Sequence, residues 1–180
     1  TWSFICKKTG AKYIKNKVSL PLISKKSFVN DFEKEITKKT KIIFMSHITS
    51  SSALIFPAKE ISKLAKKHNI LCIIDGAHAP AYIDLNIKDI DSDIYVGACH
   101  KWMCSPKGVS FLYVKKELQD SIDPLVISWG YEADQPSHSK FLDYHQWQGT
   151  RDMSPYLTIP TVIKFLNDNK WDEVREECRK

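Results

Sequence analysis

Residues 73–78, IIDGAH, and residues 93–102, DIYVGACHKW, both begin as apolar strands and end in polar side chains. Asp75 and His78 close the first run, and His100 and Lys101 lie at the end of the second. In an open α/β sheet, ligands bind beyond the carboxyl ends of the strands. We therefore expect a carboxylate, two imidazoles and an amine to converge on one pocket.

An amine beside a strand-end carboxylate suggests pyridoxal 5'-phosphate (PLP). This cofactor forms a Schiff base with a lysine, and a carboxylate keeps its pyridine nitrogen protonated. The pattern alone is weak, because Lys101 is equally explained as a solvated surface lysine and Asp75 as the aspartate of an Asp-Gly turn. His78 has a comparable alternative, a hydrogen-bonded core histidine.

A longer set of motifs carries a family resemblance: DGAH at 75–78, CHKW at 99–102, PKG at 106–108 and FLYV at 111–114. Together they resemble the class V aminotransferase family of fold-type I PLP enzymes, in particular its isopenicillin N epimerase-like branch. Cysteine desulfurases and kynureninases are relatives. The resemblance implies an α/β fold, the fold-type I large domain, with a mostly parallel sheet and helices on both faces.

The resemblance also implies how the chain is organised. Residues 1–180 would form part of the PLP-binding large domain, without the N-terminal segment that carries the phosphate loop and without the C-terminal small domain. We therefore expect the chain taken alone to bind PLP poorly and to be inactive.

Residue roles follow from the same resemblance. Lys101 would form the Schiff base, Asp75 would pair with the ring nitrogen, and His78 would lie beside the ring and take part in catalysis. In desulfurases this last position is typically glutamine, so the histidine favours the epimerase and kynureninase side. His100 resembles a phosphate-binding histidine. Ser50 matches a position that is an asparagine in relatives, and it could instead cap the next helix.

Two further residues follow Gly149. Thr150 resembles a hydroxyl that reaches the phosphate bound by the partner subunit, which implies a homodimer with shared active sites. Arg151 suits a substrate carboxylate or a phosphate because its guanidinium is a planar fork. It could equally hold Asp152 or a loop in place. For His47 and His145, packing in the core or in a loop is the preferred interpretation.

The predicted function is that of a PLP-dependent enzyme acting on a small amino-acid substrate through Lys101. An isopenicillin N epimerase-like reaction is the first hypothesis. A cysteine desulfurase or C–S lyase on the same scaffold is the alternative, and a catalytically inactive scaffold or binding module is a third possibility, because a fold does not fix a reaction.

Composition bounds these hypotheses. The chain of 180 residues suits one domain, with 43% hydrophobic and 27% charged residues. Its formal charge of +6 comes from lysines spread over the chain, which does not favour a nucleic-acid partner.

We predict no membrane span and no signal peptide. Five cysteines, an odd number, suit free thiols in a reducing compartment, so a cytoplasmic location is expected. Cys99, His100 and Cys104 lack the spacing of a zinc site, and no metal is predicted.

Apolar periodicity predicts the elements. Strands are expected at residues 11–20, 41–47, 70–75, 92–97 and 109–114, the last antiparallel to its neighbour. Helices are expected before Gly10, over 24–37, after Pro57, from about 152 to 167 and from Trp171. The aromatic-rich segment 121–148 is expected to be an irregular loop packed over an active site or a neighbouring subunit.

Overall fold

The computed structural model of the chain describes residues 1–178. Within that range there are four strands, β1 Ile42–Ser46, β2 Leu71–Asp75, β3 Ile94–Ala98 and β4 Ser110–Val114. The helices of the same range are α1 Trp2–Thr9, α2 Lys25–Glu35, α3 Ala58–Lys67, α4 Ile87–Ile90, α5 Lys140–Gln146, α6 Ser154–Leu157, α7 Ile159–Asp168 and α8 Trp171–Glu177, and residues 116–121 form a 3₁₀ helix.

The strands form one sheet in the order β1-β2-β3-β4. β1, β2 and β3 run parallel, and β4 runs antiparallel to β3, as the sequence predicts. The register pairs Ser46 with Asp75 and Asp75 with Val96, so the first three strands end at the same edge. This edge carries the polar residues that follow each strand.

Two helices illustrate how the local sequence specifies the elements. α2 begins at Ser24, whose side chain accepts a hydrogen bond from the backbone of Ser27, while the Ser27 side chain bonds back to Ser24 in a capping box. α3 buries Ile61, Leu64 and Ala65, which recur at helical spacing. α3 therefore packs against β2 and α2 packs against α3, while both helices expose lysines to solvent.

The core lies between one face of the sheet and these helices. Its most enclosed side chains include Ile61, Ile74 and Tyr95, each 0% exposed. On the opposite face, Trp2 of α1 packs against Phe44 in a tilted arrangement with ring centroids 5.1 Å apart, and Leu112 is exposed. The two faces of the sheet thus differ strongly in how completely they are covered.

Three predicted elements need correction or refinement. The strand predicted at 11–20 is wrong, because residues 11–19 have no regular structure and no partner strand. The irregular segment 121–148 contains the short helix α5, which Ser139 caps through the backbone of Leu142. The helix predicted to end near 167 is split into α6 and α7, with Pro160 in the first turn of α7. Within residues 1–178, no helix is long and apolar enough to cross a bilayer.

Candidate active site

The carboxylate of Asp75 is fixed at the edge where the parallel strands end. The backbone carbonyl of Asp75 accepts a hydrogen bond from the His47 amide at 2.8 Å, and the amide of Gly76 donates to the carbonyl of Val96 at 2.8 Å. The amide of Ala77 donates to Oδ1 of Asp75 at 3.0 Å. A carboxylate on the last residue of a strand, held by the turn that follows it, has a defined direction and is half-buried.

The loops after β2 and β3 bring an imidazole and an amine together. Nζ of Lys101 lies 3.0 Å from Nε2 of His78, and both residues are half-buried. An ammonium can only donate, so the protonated form of Lys101 donates and Nε2 of His78 accepts. The two side chains that the sequence assigned to catalysis are thus in direct contact.

Two charges of opposite sign act on His78. Burial lowers the pKa of His78, the charge of Lys101 lowers it further, and the Asp75 carboxylate acts in the opposite direction. Because the net effect is a lowered pKa, the imidazole is neutral near pH 7 and can accept a proton from its neighbour. The carboxylate, the imidazole and the amine therefore share one electrostatic environment.

Two predicted cofactor contacts lie apart from this pair. His100 is exposed, and its Nδ1 is 3.4 Å from the carbonyl oxygen of Val109, a long contact that leaves the ring accessible. Ser50 is exposed in the loop after β1 and makes no side-chain hydrogen bond to the residues that the structure describes. It does not cap the next helix, because the N-cap position of α3 is Pro57.

Thr150 and Arg151 belong to a different part of the surface. Thr150 is exposed in a cleft that it shares with Trp129, Trp147 and Gly149. The guanidinium of Arg151 donates to Gln148 at 2.8 Å and to the Tyr156 hydroxyl at 2.7 Å. These bonds agree with the alternative in which Arg151 holds a loop in place, and the partners are Gln148 and Tyr156 instead of Asp152.

A buried polar pair behind Asp75 was not identified as part of the site from the sequence. Nδ1 of His47 is 2.8 Å from the hydroxyl of Tyr95, and both side chains are buried. Burial lowers the pKa of His47 to about 4, and burial together with the Asp75 charge raises that of Tyr95. A tyrosine within an otherwise apolar strand is a usable signal, because a buried hydroxyl needs a hydrogen-bond partner.

The loops after β2 and β3 are also joined by an aromatic contact. The rings of Tyr82 and Trp102 pack in a tilted arrangement with centroids 4.7 Å apart, which links the loop of His78 to the residue that follows Lys101. The indole of Trp171, at the start of α8, donates to the carbonyl of Ala81 at 2.7 Å. We name Ala81, Tyr82, Trp102 and Trp171 the aromatic strap.

Comparison with known proteins identifies the family. The sequence model of the family described as Aminotransferase class-V matches residues 1–180. The chain is 35% identical over 150 residues to an isopenicillin N epimerase of Amycolatopsis lactamdurans, which covers 78% of this chain and 38% of that protein. It is also 35% identical over 182 residues to a hercynylcysteine sulfoxide lyase of Schizosaccharomyces pombe, covering 94% of this chain and 46% of that protein.

The fold has the same relatives. The apo structure of a cysteine desulfurase from Thermococcus onnurineus superposes with a TM-score of 0.78 at 20% identity, covering 95% of this chain and 42% of that one. The predicted class V resemblance and the predicted fold-type I α/β architecture are both confirmed. The chain spans less than half the length of these curated relatives.

Proposed function

The chain belongs to the aminotransferase class V family, whose members use PLP, and on this premise we propose that it forms part of the active site of an enzyme acting on an amino acid. The observation that carries the proposal is the 3.0 Å contact between Lys101 and His78, an imidazole whose pKa the Asp75 carboxylate also influences. A solvated surface lysine would not be expected to contact a half-buried imidazole next to a strand-end carboxylate.

The donor set suits this cofactor. When bound, PLP supplies an aldehyde that joins a lysine amine and a pyridine ring that withdraws electrons from the reacting carbon. Lys101 provides the amine. Asp75, whose Oδ1 is already oriented by the Ala77 amide, provides the negative charge for the ring nitrogen. His78 is assigned the place beside the ring, and the exposed imidazole of His100 is assigned to the phosphate.

Proton movement is the step that these residues can perform. Nζ of Lys101 and Nε2 of His78 lie within hydrogen-bond reach, so a proton taken up at one atom can pass to the other. The lowered pKa of His78 keeps its nitrogen available as an acceptor near neutral pH. An epimerase needs proton delivery to both faces of the reacting carbon, and this pair supplies one of the two acid/base sites.

A C–S lyase or desulfurase is the second candidate. It is supported by the similarity to the sulfoxide lyase over 94% of this chain. A desulfurase needs a reactive thiolate. Burial raises the pKa of Cys72 to about 11 and also raises that of Cys99, so neither thiol is suited to attack. Among the described cysteines, Cys104 and Cys178 are exposed and Cys6 is half-buried.

The assembly is part of the proposal. The hydroxyl of Thr150 is exposed in an open cleft with Trp129, Trp147 and Gly149. We propose a homodimer in which this accessible hydroxyl reaches the phosphate bound by the partner subunit. Unpaired thiols at all five cysteines support a reducing compartment such as the cytoplasm.

Reductive trapping tests the central assignment. The chain is incubated with excess PLP, reduced with borohydride, digested and mapped by mass spectrometry. We expect the reduced adduct to concentrate on Lys101, to disappear in Lys101→Ala and to persist in the control Lys107→Ala, which removes an exposed lysine six positions further along. Equal labelling of many lysines, unchanged in Lys101→Ala, would contradict the assignment. Excess PLP makes the test valid even when binding is weak.

A further inference from the structure

The buried pair His47–Tyr95 lies directly behind the Asp75-Gly76 turn. The hydroxyl of Tyr95 accepts or donates a hydrogen bond at 2.8 Å to Nδ1 of His47, and the amide of His47 donates to the carbonyl of Asp75 at 2.8 Å. A Cβ atom added at Gly76 would overlap the same hydroxyl. The His47 imidazole and the Gly76 backbone therefore meet at one phenol oxygen, and the His47 amide ties the same residue to the Asp75 carbonyl.

The phenol itself has little freedom. Tyr95 is 0% exposed, and its ring is stacked on Phe111 with an interplanar angle of 7° and centroids 6.3 Å apart. Gly97 makes room for Phe111, because a Cβ there would overlap the Phe111 ring. The chain of contacts Gly97–Phe111–Tyr95–Gly76 runs across the sheet and ends at the residue next to Asp75.

From these contacts we propose that His47 and Tyr95 are positioning residues for Asp75, and that their hydrogen bond holds its carboxylate in the direction needed to pair with the pyridine nitrogen of PLP. The inference rests on the proposed function. Both residues act through the backbone of residues 75 and 76: the His47 amide donates to the Asp75 carbonyl, and the Tyr95 hydroxyl lies against Gly76. A hydrogen bond inside a closed core is strong enough to hold a turn, because its loss leaves a buried imidazole unsatisfied.

The test compares PLP with 1-deaza-pyridoxal phosphate, in which carbon replaces the ring nitrogen. Dissociation constants of both compounds are measured by absorbance titration for the parent chain, Tyr95→Phe, His47→Ala and the benchmark Asp75→Asn. The matched control is Tyr113→Phe, which removes a hydroxyl from the β4 residue paired with Tyr95 in register. The ratio of the two constants isolates the contribution of the ring nitrogen from the rest of the binding energy.

We expect the parent chain to prefer PLP, Asp75→Asn to abolish the preference, and Tyr95→Phe and His47→Ala to reduce it by about tenfold, the effect of one buried hydrogen bond. Tyr113→Phe should retain it. A merely structural role would weaken both compounds equally and leave the ratio unchanged. That result, with Asp75→Asn still abolishing the preference, would overturn the positioning proposal alone. A parent chain that fails to distinguish the compounds would overturn the proposed role of Asp75, and the positioning proposal with it.

Discussion

Gly76 lies against the hydroxyl of Tyr95, so closely that a side chain at position 76 would overlap the phenol. The Asp75-Gly76 turn therefore needs glycine for space, whereas its backbone conformation would accept other residues, since no positive φ is recorded there. Gly76 is therefore required for space, and this requirement can be separated experimentally from the conformational requirement for glycine at other positions.

Replacing Gly76 with alanine should destabilise the chain by about 2–3 kcal/mol, the usual cost of overpacking a core. The control is Gly10→Ala. Gly10 has φ +73° and nothing within 4 Å of an added Cβ, so only the left-handed conformation is penalised, by about 1 kcal/mol. Urea denaturation followed by circular dichroism measures both. Adding Tyr95→Ala should relieve the overlap, so the double variant is expected to cost less than the sum of the single changes. Strict additivity would contradict the packing explanation.

His47 should make stability depend on pH. Its pKa is lowered to about 4 from an ordinary value of 6.5, so the unfolded chain binds the proton first as the pH falls. The stabilisation is complete above pH 6.5 and is lost as the pH falls toward 4. Between pH 7.5 and 5 the loss amounts to about 2 kcal/mol.

Denaturation midpoints at several pH values measure this loss. His47→Gln should flatten the dependence between pH 7.5 and 5, and His138→Gln, which changes an exposed histidine, should leave it in place. If the stability of His47→Gln depends on pH as steeply as that of the parent chain, the burial of a neutral His47 does not control acid stability.

The contact between His78 and Lys101 should control the rate of labelling by PLP and borohydride. His78→Ala removes the acceptor for the Lys101 proton, and we expect the initial rate of adduct formation at Lys101 to fall by about a hundredfold at neutral pH, within the range typical of acid–base catalysis. The measurement is mass-spectrometric quantification of the Lys101 peptide after short incubations. His138→Ala is the control. A rate unchanged in His78→Ala would remove the imidazole from the proton transfer.

Much of the fold is predictable from local patterns. Short apolar runs bounded by polar residues correspond to β1, β2, β3 and β4. The strand prediction over residues 11–20 is wrong, although Ile14 and Val18 fit an alternating apolar pattern. A strand also needs a neighbour to pair with, and residues 11–19 pair with neither edge strand of the sheet, β1 or β4. Ile14 is 43% exposed, and of the two residues only Val18 packs against the core. Pairing is a tertiary property that alternation cannot reveal.

The candidate site was predictable to the extent that strand ends specify it. Parallel strands end at one edge, so Asp75, His78 and Lys101 could be placed together from sequence order and the family resemblance. The directions of loop side chains were not accessible in this way, as Arg151 shows by bonding to Gln148 and Tyr156. The partnership of His47 with Tyr95 joins positions 48 residues apart and depends on strand register.

The aromatic strap should couple α8 to the loops after β2 and β3. Trp171→Phe removes the indole donor to the Ala81 carbonyl, and we expect a loss of about 1 kcal/mol of unfolding free energy, since one half-buried hydrogen bond disappears. Trp129→Phe is the control, because Trp129 is 73% exposed and should change stability by less than about 0.5 kcal/mol. Because Ala81 precedes Tyr82, whose ring contacts Trp102, loosening the strap should also increase hydrogen exchange at residues 77–82 and 100–104. Faster exchange restricted to α8 would show that the helix is anchored by the strap without constraining the site.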